Sequence, residues 1–186
     1  FTTIAQALAV AQPNGVIHVL PGAYGITQQL AVNVPGLTIR GRAGAQILLQ
    51  APVVPFLCSG GNNTINGLRM TNNDPYPEQP GDSSTWVVNR GFVTQGNATN
   101  LLVRDNIFHT LRQAAYLNPG STGTIMQNVT YNTRGYVVDQ ATFLFSGNSW
   151  GLPANAVDIA LLAGTTSGAP YDPLSALEAS NSSATI

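Results

Sequence analysis

Acid–base chemistry in this 186-residue chain would have to be built from eight carboxylates: Asp74, Glu78, Asp82, Asp105, Asp139, Asp158, Asp172 and Glu178. Hydrolysis of a glycosidic bond takes two carboxyl groups a few ångströms apart, one protonated and one ionised. Asp74, Glu78 and Asp82 share one loop-like stretch, where solvation is the default, and Asp172 and Glu178 flank a short helical pattern. Asp105 and Asp139 fall inside the patterned central region. The densest polar cluster runs from Arg104 to Arg112, with one acid, one histidine and two arginines in nine residues. The candidate catalytic residues are therefore Asp105, His109, Arg112 and Asp139, able in principle to hold an anion and move a proton. In a strand, Arg104 and Asp105 point to opposite faces, so an ordinary charged surface strand is the plainer reading. His18 alternates with Ile17 and Val19 and reads as solvent-facing. Two histidines, one cysteine and no acidic repeat of the calcium-binding type imply no metal site, and nothing implies a cofactor.

The elements that must position these groups show a repeat. Val103-Arg-Asp-Asn106-Ile-Phe108 recurs as Ile125-Met-Gln-Asn128 followed by Tyr131, and again as Phe145-Ser-Gly-Asn148-Ser-Trp150. The asparagines are spaced 22 and 20 positions apart, and a weaker copy, Ile65 to Met70, has Leu68 in place of Asn. A period of that length marks a repeat architecture. The segments are β-branched and aromatic, without the amphipathic stretches of helical repeats, and about 20 residues suit one coil of a parallel β-helix. Asn106, Asn128 and Asn148 would form an internal ladder at a bend. Asn tolerates left-handed backbone, and its amide can bond to the Asn of the next coil. The alternative is three turn asparagines in a β-sandwich.

Composition narrows the function. A net charge of −1 gives no basic footprint for nucleic acid. Charged residues make up 8%, against about 25% in typical soluble domains, so a device that keeps molecules apart is scarce. Cys58 has no internal disulfide partner and reads as a small apolar core residue. No run of 18 apolar residues spans a membrane, and no signal peptide is visible. The abrupt start at Phe1 and stop at Ile186 suggest a piece of a longer protein.

In chain order, residues 2–12 form a helix, with Thr2 or Thr3 as cap and Gln6 completing a capping box. Strand 16–20, a turn at Pro21–Gly25, and strands at 30–32, 37–39, 47–49, 53–57 and 64–70 follow, with the helix covering the first coil's open end. Phe1-Thr-Thr-Ile4, Ala7-Leu8, Gly15 to Tyr24 and Leu37 to Gly41 resemble the amino-terminal cap and first coil of right-handed parallel β-helix proteins of the pectin-lyase-like superfamily. That resemblance covers roughly residues 1–150 and implies an all-β, right-handed, single-stranded parallel β-helix with an N-terminal capping helix and a mixed C-terminal cap. The superfamily holds pectate lyases, polygalacturonases, pectin methylesterases, phage tailspikes and non-catalytic bacterial surface proteins. Pectin methylesterases place two Asp and a Gln on adjacent coils with an Arg nearby. Val137 to Phe143 resembles one such segment, but its partner motif is missing and no role carries over. Residues 71–96 read as an inserted loop, and 151–186 as a C-terminal cap with a helix at 172–179. Residues 156–162 fit a strand or a buried helix, and Ala184–Ile186 could add a strand to a neighbour.

Three functions fit. The first is a non-catalytic, extracellular or cell-surface structural or adhesive module of a bacterial type, self-assembling with copies of itself or with neighbouring modules of a longer chain as part of a surface or filament assembly. The second is a carbohydrate-binding module stacking sugars on Tyr76, Trp86 and Tyr116 beside the loop. The third is an enzyme, a polysaccharide lyase or glycoside hydrolase, acting on an acidic polysaccharide. The expected partners are copies of itself or polysaccharide, not nucleic acid.

Overall fold

The computed structural model describes residues 1–72, 89–131, 134–150, 157–162 and 174–186. Its strands wind through three parallel sheets, each six strands deep. Sheet A holds β1 (Val16–Val19), β4 (Thr38–Gly41), β7 (Thr64–Asn66), β10 (Leu101–Arg104), β13 (Thr122–Met126) and β16 (Thr142–Ser146). Sheet B holds β2 (Gly22–Ile26), β5 (Ala45–Leu49), β8 (Arg69–Asn72), β11 (Ile107–His109), β14 (Val129–Tyr131) and β17 (Ser149–Trp150). Sheet C holds β3 (Leu30–Val32), β6 (Phe56–Cys58), β9 (Arg90–Thr94), β12 (Gln113–Leu117), β15 (Arg134–Val138) and β18 (Ile159–Leu161). Each strand pairs with the one three elements on, so the chain is a parallel β-helix with one strand per sheet in every coil.

Alternation along each strand sends one set of side chains inward, and the register stacks them into rows. Sheet A contributes Ile17, Ile39, Ile65, Val103, Ile125 and Phe145. Sheet C contributes Leu30, Phe56, Phe92, Ala115, Tyr136 and Ile159. The small Ala115 lies between Phe92 and Tyr136 in its row. The Phe108 ring, from sheet B, contacts both, at 6.0 Å to Phe92 and 6.3 Å to Tyr136. Each such side chain stabilises the stack by about 1.5–3 kcal/mol through burial.

The open ends are covered as the sequence suggests. Helix α1 (Ile4–Ala9) packs on β1 and β3, with Thr3 as N-cap and Gln6 closing the capping box. Helix α2 (Leu174–Ser180) places Leu177 in the core, at 1% exposure. Three details differ from the sequence reading. The supposed turn at Pro21–Gly25 is mostly strand β2, because the bend is completed by Leu20 and Pro21. The stack runs past Trp150, since β18 is the last strand of sheet C, which settles residues 159–161 as strand. The terminal residues fold back on their own chain. Thr185 donates its backbone N–H to Asp158 Oδ2 at 2.7 Å, and its carbonyl accepts from Asp158 and Ile159, so those groups are already used.

Candidate functional site

The bend from sheet A to sheet B is the most regular polar feature of the molecule. Asn128 Oδ1 accepts from the Asn106 backbone N–H (3.0 Å) and from Asn106 Nδ2 (3.1 Å), while Asn128 Nδ2 donates to the Val103 carbonyl (3.0 Å). Asn148 does the same for Asn128, and Asn106 for the Leu68 backbone N–H. Asn106 and Asn128 are 1% exposed, so these amides satisfy backbone groups that water cannot reach. The left-handed residue is one position earlier than the sequence reading placed it: Gly67, Asp105, Gln127 and Gly147 have φ of 71°, 55°, 55° and 62°. The preceding residue turns the chain, and the Asn supplies hydrogen bonds.

That bend also decides the fate of Asp105. With its backbone left-handed, strand alternation fails, and Asp105 Oδ2 accepts from Arg104 Nε at 2.6 Å rather than pointing away from it. Both side chains are about two-fifths exposed, at 40% and 42%. Asp139 lies elsewhere, beyond the end of β15, where sheet C bends back toward sheet A. Its Oδ2 accepts from the Tyr116 hydroxyl at 3.1 Å, and the Arg90 guanidinium lies 5.6 Å from the centre of the Tyr116 ring. Burial, the bond to Asp139 and that carboxylate's charge raise the Tyr116 pKa against the opposing pull of Arg90, so the phenol remains a donor. Asp105 and Asp139 thus occupy different edges of the solenoid, whereas a retaining glycosidase holds its pair about 5–5.5 Å apart.

His109 closes β11 on sheet B, and its contacts come from neighbouring coils and from the adjacent Thr110. Its Nε2 accepts from Arg69 Nε at 2.8 Å, its Nδ1 lies 3.2 Å from Thr71 Oγ1 and 3.0 Å from Thr110 Oγ1, and its ring stacks on Tyr131 at 5.1 Å. An Nε2 that accepts leaves the ring proton on Nδ1. Burial first, and the Arg69 charge second, lower the His109 pKa from its ordinary 6.5. Arg112 is 8% exposed, just ahead of β12, and does not share the surface of Asp105. Tyr76 and Trp86 lie outside the described residues. His18 is exposed beside Arg40. Burial pushes the Cys58 thiol up to about 12, so it behaves as a core group. Among the described residues, no group of three His, Cys, Asp or Glu could hold a metal ion, and no helix is long and apolar enough to cross a membrane.

The partners Arg69, Thr71 and Arg90 were not singled out in the sequence, and Tyr131, read there as the repeat's aromatic in the place of Phe108, stands in register with His109 instead. A signal was present: Tyr131 follows His109 by 22 positions, the same offset as Asn128 from Asn106. Applying the repeat to every polar residue would have stacked the two rings.

No protein-family model matches the chain, and no curated protein matches it. Among solved structures it is similar to a pectin methylesterase from Yersinia enterocolitica, at TM-score 0.55 and 17% identity, over 80% of this chain and 56% of that one. A pectin methylesterase in complex with a hexasaccharide superimposes at TM-score 0.43 and 15% identity, over 78% and 62% of the two chains. The chain spans a little over half the length of the Yersinia enterocolitica structure. At such identity the likeness is one of fold, a three-sheet parallel β-helix.

Proposed function

We propose that this chain is a non-catalytic structural or adhesive β-helix module, extracellular or at a cell surface, that associates with copies of itself or with neighbouring modules. The observation that carries the reading is the separation of three described carboxylates, Asp105, Asp139 and Asp158. Asp105 is engaged with Arg104 at one edge, Asp139 with Tyr116 at another, and Asp158 with Thr185 beside the last coil. Among the described residues, paired-acid catalysis has no shared surface in that arrangement. Association is supported at the N-terminal end, where a groove of about 570 Å³ runs between α1 and β1. Phe1, Val10, Val16 and Leu20 line it and are 86%, 53%, 49% and 60% exposed. Light scattering over a concentration series, with electron microscopy of the same samples, tests the reading. Ordered assemblies are expected, and Leu20→Ser with Val16→Thr should disperse them. A strict monomer at every concentration would overturn self-association.

A second reading, a carbohydrate-active enzyme or a carbohydrate-binding module for an acidic polysaccharide, draws on Arg90, Tyr116 and Asp139 and on the pectin methylesterases that share the fold. Gln113 stands in register between Arg90 and Arg134 on the adjoining strands, but a second aspartate is missing from this group among the described residues. Methanol release from methyl-esterified pectin, abolished by Asp139→Asn, would favour this reading over the first.

A further inference from the structure

We infer that copies of this chain join head to tail, the groove at the N-terminal end of one solenoid seating the C-terminal end of the next, so that the assembly is polar and open-ended. The inference rests on the self-association proposed above and adds the mating surface and the polarity, which that reading leaves open.

The first observation is where apolar surface lies. Leaving aside the terminal residues, the exposed large hydrophobic side chains among the described residues are Val10, Val16, Leu20 and Leu162. Val10 is the C-cap of α1, Val16 opens β1 and Leu20 follows it, so these three surround the first coil and its cap. Leu162 follows β18, the last strand of sheet C. None of the described residues between Leu20 and Leu162, which make up the flanks, is of this kind. Single exposed apolar side chains are ordinary, but here they are confined to the two ends of a rod, where a partner would cover them.

The second is the distribution of charge. Residues 1–73 hold three arginines, Arg40, Arg42 and Arg69, and no carboxylate, a side-chain charge of +3. Residues 134–186 hold one arginine, Arg134, against four carboxylates, Asp139, Asp158, Asp172 and Glu178, a side-chain charge of −3. Each coil pairs with the one before it, so order in sequence becomes order along the axis. Five strand spacings of about 4.8 Å separate the first coil from the sixth, about 24 Å and more than two Debye lengths at 0.1 M salt. The charges also adjoin the apolar residues. Arg40 stands in register with His18, and the Arg42 N–H donates to the Val19 carbonyl, while His18 and Val19 both line the groove of Val16 and Leu20. At the other end, the Leu162 N–H donates to the carbonyl of Val138, the residue before Asp139, and Glu178 is exposed on α2.

Charge then chooses the pairing. Two N-terminal ends face to face would oppose Arg40 and Arg42 to their own copies, and two C-terminal ends would oppose carboxylates. An N-terminal end on a C-terminal end sets cations against carboxylates around an apolar contact, and like-charge juxtaposition rejects the other two pairings. The contact joins two different surfaces, so every addition leaves the same two faces free and the assembly does not close. It brings side chains together rather than extending the sheets. Helix α1 packs on β1 and β3 and α2 on β16, covering edges that would otherwise pair indiscriminately.

The test blocks one end at a time in the whole chain and reads mass by sedimentation velocity, above the concentration at which the native chain assembles. Val10→Asp/Leu20→Asp places carboxylates at the N-terminal groove, and Leu162→Asp places one at the C-terminal end. Each variant alone should stay monomeric. An equimolar mixture should give a species of two chains, one of each, and nothing larger, because one intact groove meets one intact C-terminal end. A Leu162→Asp variant that still pairs with itself would mean head-to-head contact, variants that both assemble like the native chain would place the contact on the flanks, and a mixture that stays monomeric would mean that the two ends do not meet. Each of these overturns the polarity while leaving self-association in place, whereas a native chain that never assembles removes both. Glu178→Arg, on the exposed face of α2, serves if Leu162→Asp does not fold. It should raise the concentration needed for assembly about threefold at low ionic strength, with the difference shrinking in high salt. An unchanged threshold would overturn the role given to charge.

Discussion

Asn128 illustrates how much one side chain does in a parallel coil. Its amide accepts from the N–H groups of Asn106 and donates to Val103 and to Asn148 Oδ1. Asn128→Ala strands a buried N–H and a buried carbonyl together, each worth about 1–3 kcal/mol when left unsatisfied. A loss of about 3 kcal/mol in urea unfolding is expected, against about 1–2 kcal/mol for Asn148→Ala at the half-buried end of the ladder. Equal losses would show that the stacked amides do not act as a ladder. His109 makes a different claim at the same scale. Its folded-state pKa lies below 6.5, so the unfolded chain takes up the proton first. The stability it contributes is complete well above 6.5 and falls as pH drops through 6.5 toward the folded value. The groups facing it are Arg69 from β8 and Tyr131 from β14, and protonation would set two cations against each other. His109→Gln keeps a neutral partner for Arg69. Its melting temperature should therefore fall less than that of the native chain between about pH 7 and about pH 5. Parallel pH profiles for the two proteins would refute this.

At the scale of elements, the bends explain why the chain can coil at so even a pitch. Gly67, Asp105, Gln127 and Gly147 occupy equivalent left-handed positions, yet their surroundings differ. A Cβ on Gly67 would lie 2.8 Å from the Gly41 carbonyl oxygen, a backbone atom that cannot swing aside. A Cβ on Gly147 would meet the Gln127 side chain at an ordinary 3.6 Å. Gly67→Ala should therefore cost about 2–4 kcal/mol, from the left-handed penalty plus overpacking, while Gly147→Asn should stay within about 1 kcal/mol. Chemical denaturation separates the two, and similar costs would mean that φ alone governs the bend. The repeat was legible because Asn106, Asn128 and Asn148 sit beside apolar residues of fixed spacing. The helix start was legible because Thr3 and Gln6 form a local pair. The meeting of Arg104 with Asp105 was not legible, because strand alternation holds only until the backbone turns left-handed. Arg90 over Tyr116 was hidden as well, since the intervening chain leaves the rhythm of the repeat.

For the whole molecule, one consequence of stacking is that the strands pair only with those of adjacent coils among the described residues. Each coil touches its two neighbours, so stability is close to a sum of coil and interface contributions. Tyr136 is a fully buried junction between coils. Its ring meets Phe108, Phe145 and Trp150, at 6.3, 5.5 and 6.1 Å, and its hydroxyl bonds to Thr130 Oγ1 at 3.0 Å. Tyr136→Ala removes about 3–5 kcal/mol of packing from the junction between β11, β14 and the last strands. In a globular core, that loss would be shared by the whole domain. In a solenoid it should be local. Amide hydrogen exchange should show β13 to β18 losing protection in the variant while β4 to β8 keep theirs, the far coils retaining intact interfaces on both sides. Uniform loss of protection from β1 to β18 would mean that the stack folds as one cooperative unit. In that case the capping helices α1 and α2, and not the interfaces between coils, would set its stability.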